Sequence, residues 1–214
     1  MELGEDIGRA LSERHRKPAD ADPLGSVLNY TERPRSADWT MRSALVRLAQ
    51  PEPGRVAEVL ALSRRLDAVL GHVSRGLEKC TTMCDRRLTL SVLNGGHGEG
   101  AEFELSQPQD QYPDARVVDL ARVCRAGPEL CPSVLAGYSS LGSLSPEEAA
   151  AVPLLEVALR LDDLADLLVE WAIGAPGPAP VGQVDQTCGD VRFQLDELGV
   201  PTEEARPAGG RSRG

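Results

Sequence analysis

The stretch from Val134 to Ala172, VLAGYSSLGSLSPEEAAAVPLLEVALRLDDLADLLVEWA, places the tightest limit on what this chain can fold into. In Ser145-Pro146-Glu147-Glu148, a hydroxyl suited to capping is followed by proline at the first helical position and then by a carboxylate three residues after the hydroxyl. Such a set satisfies backbone amides that a helix start leaves unpaired. From there Leu154, Ala158, Leu161, Ala165, Leu168 and Ala172 recur at steps of three and four, with Val157, Leu164 and Trp171 widening the stripe. This spacing predicts one buried helical face. Glu156, Asp163 and Glu170 fall on another side with Asp162 and Asp166 nearby, so the outward side is acidic. Pro153 has no amide to donate and is expected to kink or split the helix in its first turns.

A chain that builds its core from such helices needs little aromatic content, and aromatics are only 3% of this one. The core is then mostly Leu, Val and Ala, which argues against an aromatic platform for single-stranded nucleic acid. The net charge of -10 is uneven: residues 1 to 100 carry 15 basic and 14 acidic groups, and the remainder carries 8 and 19. An acidic field repels phosphate backbones and anionic lipid, so neither nucleic acid nor a membrane is an expected partner. The start MELGEDIGRA lacks a secretory pattern and no run is long and apolar enough to span a bilayer, so a cytoplasmic protein is expected. Cys80, Cys84, Cys124, Cys131 and Cys188 are odd in number and irregularly spaced, which predicts free thiols in a reducing compartment. Cys80 and Cys84 on one helical face with His72 upstream would lack the paired spacing of a zinc site.

Taken in order, Ile7, Ala10, Leu11 and Arg14 suit a first helix ending before Pro18. Ser36 or Asp38 caps a second, with Met41, Ala44, Leu45 and Leu48 on one face and Trp39 as an anchor. A long helix is expected from Arg55 to about Lys79 on Val56, Val59, Leu62, Leu66, Val69, Val73 and Leu77, with Arg55, Glu58, Arg65 and Arg75 off the stripe. Gly71 and Gly76 weaken its end by roughly 1 kcal/mol each relative to alanine. After Arg87 the period becomes two: Leu88, Leu90 and Val92, then Asn94-Gly95-Gly96, then Phe103 and Leu105 predict a β-hairpin tipped by NGGHGEG. Amides at Gly95, Gly96 and Gly98 could meet a phosphate, and His97 and Glu99 could do proton chemistry, although the spacing is neither a P-loop nor a dinucleotide fingerprint. Gln107 to Asp114 reads as a loop, and Val117 to Val123 as a short buried helix or strand. The fold class is therefore mainly α (α+β), with a small β-hairpin. Residues 1–172 are expected to form a single mostly helical domain, 173–190 a Gly/Pro-rich linker, and 191–214 a short docking element and a disordered tail.

VLAGYSSLGSLSPEEAAAVPLL resembles the late C-lobe segment of hydroxylysine-kinase-like members of the aminoglycoside phosphotransferase family. IGRALSERHR is similar to the helix these proteins carry after the hinge, and Asp38-Trp39-Thr40-Met41-Arg42 resembles their Trp-containing helix that follows. The three pieces keep the family's order. The resemblance implies a helical kinase-like C-lobe without a complete N-lobe, in a family where phosphoryl transfer rests on positioning and metal-assisted charge stabilisation. That family's catalytic loop reads His-Gly-Asp with an Asn five residues after the Asp. Aligned on Asn94-Gly95-Gly96, Gly96 replaces the Asp and Ala101 the Asn; aligned on His97-Gly98-Glu99, an acid returns but Glu104 takes the Asn position. Asp119 in RVVDLAR is one candidate for the family's metal-binding Asp, although Asp-Leu-Ala also suits the structural helix after that motif; the second alignment leaves Asp110. The leading expectation is a catalytically impaired kinase-like domain with a small-molecule or protein partner and no cofactor. One alternative is a helical interaction module with an acidic surface, unrelated to kinases. Another is an active phosphotransferase with an alcohol acceptor, using Mg and ATP with His97, Glu99 and Asp119.

Overall fold

A computed structural model describes residues 2–16, 31, 53–82, 90–93, 102–105, 112–172 and 181–202. Six helices dominate them: α1 (Glu2–His15), α2 (Pro53–Val73), α3 (Val117–Ala126), α4 (Cys131–Leu141), α5 (Pro146–Ala172) and α6 (Val181–Glu197). Four short strands, β1 (Lys79–Thr82), β2 (Leu90–Leu93), β3 (Glu102–Leu105) and β4 (Tyr112–Ala115), form two antiparallel pairs. The mainly α class expected from the sequence is the observed one. Where one domain was expected over 1–172, the chain groups into two compact units, Met1–Arg33 with Gly71–Leu159, and Pro34–Leu70 with Arg160–Gly214.

In the first unit, the hairpin pairs as its alternation predicts, with Leu90 opposite Leu105 and Val92 opposite Phe103. Its tip lies outside the described residues, as do Trp39 and the helix expected after Ser36. β1 pairs with β4, which corrects the helix expected at Lys79 and Cys80 and the loop expected at Tyr112 to Asp114. Val117–Ala126 resolves as helix, and its faces are so thoroughly buried that all residues from Val117 to Cys124 lie in the interior. α1 packs on α4 through glycines. A side chain on Gly8 would collide with the Val134 carbonyl and the Tyr138 amide, and one on Gly137 with the Glu5 backbone, so two helix backbones approach without intervening side chains. Ile7 and Leu11 of α1 and Val134 and Tyr138 of α4 are buried around this contact.

α5 begins as read. The Glu148 amide donates to Ser145 Oγ at 3.1 Å, and the Ser145 amide donates to Glu148 Oε2 at 2.9 Å, which closes a reciprocal capping box. Pro153 does not split the helix, which runs unbroken to Ala172. The carbonyl that loses its helical donor is that of Ala149, an exposed residue, so water can replace the missing bond. Burial is also broader than one stripe: Ala151, Val152, Leu154, Leu155, Val157, Ala158 and Leu159 are all interior.

In the second unit, Val56, Val59, Leu62, Leu66 and Leu70 of α2 are buried, as are Leu161, Leu164, Ala165 and Leu168 of α5. Two corrections fall on α2. It ends at Val73, followed by a single 3₁₀ turn at Ser74–Gly76 and then by β1, where a helix to about Lys79 was expected; Gly71 and Gly76 bring the low propensity that favours this exit. Arg65, placed off the stripe by its charge, is buried because its Nε donates to the Val200 carbonyl at 3.0 Å and its NH2 to Asp196 at 2.6 Å. The linker assigned to 173–190 is also corrected, since 181–190 are the first ten residues of α6. Val184, Cys188, Val191 and Leu195 bury one face of it, and Arg55 binds Asp185 through two nitrogens at 2.6 and 2.7 Å. Arg192 also pairs with Glu58. The helix ends on Gly199 at φ 66°, with the Val200 amide bonded to the Leu195 carbonyl and the Gly199 amide to that of Asp196. This is a Schellman stop, for which only glycine accepts the left-handed backbone without cost.

Candidate functional site

The first unit encloses a chain of polar side chains. His15 ends α1, Asp119 lies in the first turn of α3 with Arg122 one turn on, and Tyr138 projects from α4. His15 Nδ1 lies 2.9 Å from the Tyr138 hydroxyl, and its Nε2 lies 3.2 Å from Asp119 Oδ2. Arg122 NH1 donates to the other carboxylate oxygen, Oδ1, at 3.1 Å. An imidazole whose Nε2–H donates to the carboxylate while Nδ1 accepts the phenol hydrogen satisfies all three groups. The side chains are sealed: His15 is 2% exposed, Asp119 0% and Arg122 3%. A buried carboxylate is tolerable only when paired and hydrogen-bonded, which these partners accomplish.

A second polar group adjoins this chain. Arg116 binds Glu148 through Nε at 2.7 Å and NH2 at 2.6 Å, bonds Glu78 at 3.0 Å, and holds its guanidinium carbon 5.9 Å from the centre of the Tyr138 ring. Burial pushes the Glu148 carboxyl up, but the Arg116 guanidinium and the Ser145 amide outweigh it and hold the group below its ordinary value. The Tyr138 phenol moves up, chiefly through burial and against the pull of Arg116. Asp114 is likewise enclosed, with Oδ1 accepting the Thr31 hydroxyl at 2.8 Å and the Ala115 amide at 2.7 Å. Opposite it in the strand register is Cys80, whose thiol is pushed well up by burial and then by the nearby Asp119 charge. Such a thiol is held protonated, which suits core packing and not nucleophilic attack.

Of the sequence candidates, His97, Glu99, Gly95, Gly96, Gly98 and Asp110 lie outside the described residues. Asp119 is described, and stands enclosed between His15 and Arg122. The cysteine and histidine considered for zinc separate in character: Cys80 is buried on a strand and not on a helix face, whereas His72 is exposed, and Cys84 lies outside the described residues. Sequence reasoning passed over His15, Tyr138 and Arg122. The available signal was their position: His15 follows Leu11 by four residues and Tyr138 follows Val134 by four, so each sits on the buried stripe of its helix.

The expectation of free thiols throughout is corrected by a disulfide between Cys124 and Cys131, with Cα atoms 4.5 Å apart, while Cys80 and Cys188 are free and buried. Spacing alone did not reveal the bridge; the turn between α3 and α4 brings the two sulfurs together. Burial raises the Cys188 thiol to about 11, with the Asp185 charge adding to it. Glu156 of α5 joins the disulfide, so that its carboxylate and the two sulfurs lie within 4.8 Å of one another, the one group of three potential metal ligands among the described residues. No described helix is long and apolar enough to cross a membrane. Comparison with known proteins finds no matching family model and no matching curated sequence.

Proposed function

We propose that this chain is a kinase-like domain, related to the C-lobe of small-molecule phosphotransferases, that binds a partner and does not transfer phosphate. The observation that carries the reading is the enclosure of Asp119. In the resemblance this residue answers either to a metal ligand or to the structural acid of the Asp-Leu-Ala helix. With no exposed surface and each carboxylate oxygen engaged by a buried partner, it fits the structural role. A magnesium ion takes oxygen ligands in an octahedral shell that usually keeps several waters, and recruiting Asp119 would strip His15 and Arg122 of their acceptor. The sequence adds to this, since both alignments of the catalytic loop miss either the family's Asp or its Asn. A binding role draws support from acidic side chains on exposed faces, including Asp163 and Glu170 of α5 and Asp190 and Glu197 of α6, which suit a basic protein surface.

Thermal unfolding with magnesium and ATP tests the proposal. A nucleotide held at about 100 times its dissociation constant would add about 2.7 kcal/mol of stability. The expected result is no shift up to millimolar ATP, and no phosphate transfer to alcohol acceptors. A clear shift lost in Asp119→Asn, accompanied by turnover, would overturn it.

A further inference from the structure

We infer that Cys124 and Cys131 form a reversible thiol–disulfide exchange site for low-molecular-weight thiols, with Cys131 the sulfur at which exchange occurs and Glu156 the carboxylate that carries the proton of Cys124. The two sulfurs are unequal. Cys124 lies near the end of α3 with no exposed surface, while Cys131 is the first residue of α4 and is half-buried. Of the two, only Cys131 therefore keeps surface that an incoming thiol can approach. The start of α4 has no side-chain cap, so a thiolate at Cys131 lies at the positive end of the helix dipole, although Pro132 brings no amide and the Cys131 amide already donates to the Pro128 carbonyl. Glu156 Oε1 stands 4.0 Å from Cys131 Sγ, and its carboxylate lies within 4.8 Å of Cys124 Sγ as well. One half-buried cysteine, one enclosed cysteine and an acid near both sulfurs are the parts that exchange requires.

The step balances as follows. A thiolate RS⁻ attacks Cys131 Sγ, the Cys124–Cys131 bond breaks, and Cys124 leaves with the electron pair and takes a proton by way of Glu156. A second thiolate then attacks the R sulfur of the mixed disulfide, releasing RSSR and the Cys131 thiolate, so that two thiols are oxidised as the protein disulfide is reduced. In reverse, Cys131 attacks RSSR, and Cys124, deprotonated through Glu156, resolves the adduct. The disulfide closes the Gly127 to Leu130 turn between α3, which carries Asp119 and Arg122, and α4, which carries Tyr138. Exchange thus acts beside the elements that hold His15.

The test uses the full chain in glutathione buffers from reducing to oxidising, approached from both directions, with acid quenching, alkylation in denaturant and mass analysis of each cysteine peptide. Cys124 and Cys131 are expected to change state together and to reach the same ratio from either start. Cys124→Ser should collect a glutathione adduct at Cys131, and Cys131→Ser should collect none at Cys124. Glu156→Gln should slow disulfide re-formation on the order of tenfold, below the about 10²–10⁴ of a well-placed acid or base because a 4.0 Å approach is long. Circular dichroism identifies any variant that fails to fold, and the wild-type equilibrium then decides alone. A bridge that resists glutathione until the chain unfolds would overturn the proposal. So would an adduct at Cys124, or stoichiometric zinc uptake by the reduced chain that blocks re-oxidation, which would make the trio a metal site.

Discussion

Tyr138 has a consequence for stability out of proportion to its single hydroxyl. In Tyr138→Phe the ring still fills its place, but the His15 nitrogen 2.9 Å away is left without its partner in a closed interior. The expected loss is about 1–3 kcal/mol, the cost of an unsatisfied buried group, measured by denaturant unfolding. Glu148 contributes to stability against acid. Its folded pKa is depressed, burial being outweighed by Arg116, so its contribution is present above the ordinary glutamate value of about 4.3 and is lost as pH falls through the lower folded value. Melting temperature should therefore fall as pH drops from about 5 toward 3. Glu148→Gln should be less stable at neutral pH, with a shallower decline over that window. Asp119 and Glu148 were both visible in the sequence as acids near a helix start, yet only Glu148 had a local role that could be read, because its capping partner is three residues away. Asp119 has Arg122 three residues on, but His15, which engages its other oxygen, is 104 positions distant.

At the level of elements, the α1 and α4 contact depends on missing side chains. Gly137→Ala would drive a methyl into the Glu5 backbone, which cannot rotate away as a flexible side chain would. It should cost about 1–3 kcal/mol, with Gly71→Ala, where a Cβ meets nothing, as the control expected to be neutral or slightly stabilising. The start of α5 and the buried face of α2 were legible because a cap and a three-four repeat are written within a few residues. α6 carries the same kind of signal in Val184, Cys188, Val191 and Leu195. It was obscured by Gly182 and Gly189 and by the proline-rich run just before it. Burial of that face and its ion pairs with α2 outweigh the low propensity of two glycines, roughly 1 kcal/mol each.

For the whole molecule, charge is the property that composition settles. A net charge of -10, concentrated after residue 100, should leave the chain unable to retain duplex DNA or anionic vesicles even at low ionic strength, where attraction is strongest. Binding of labelled oligonucleotide near 10 mM salt that fades with added salt would contradict this, and no retention is the expected outcome. By itself the sequence determined the mainly helical class, the hairpin, the acidic second half and the capped start of α5, because each rests on local periodicity or on counts that folding cannot change. Only the tertiary structure decided that Cys124 meets Cys131, that Lys79–Thr82 pairs with Tyr112–Ala115, that Arg65 is interior and that His15 bridges Asp119 and Tyr138. Those contacts join residues whose neighbours in sequence carry no mark of the partner. They form because burying a charge or a polar ring requires a partner, and the partner comes from wherever the packed helices and strands bring one.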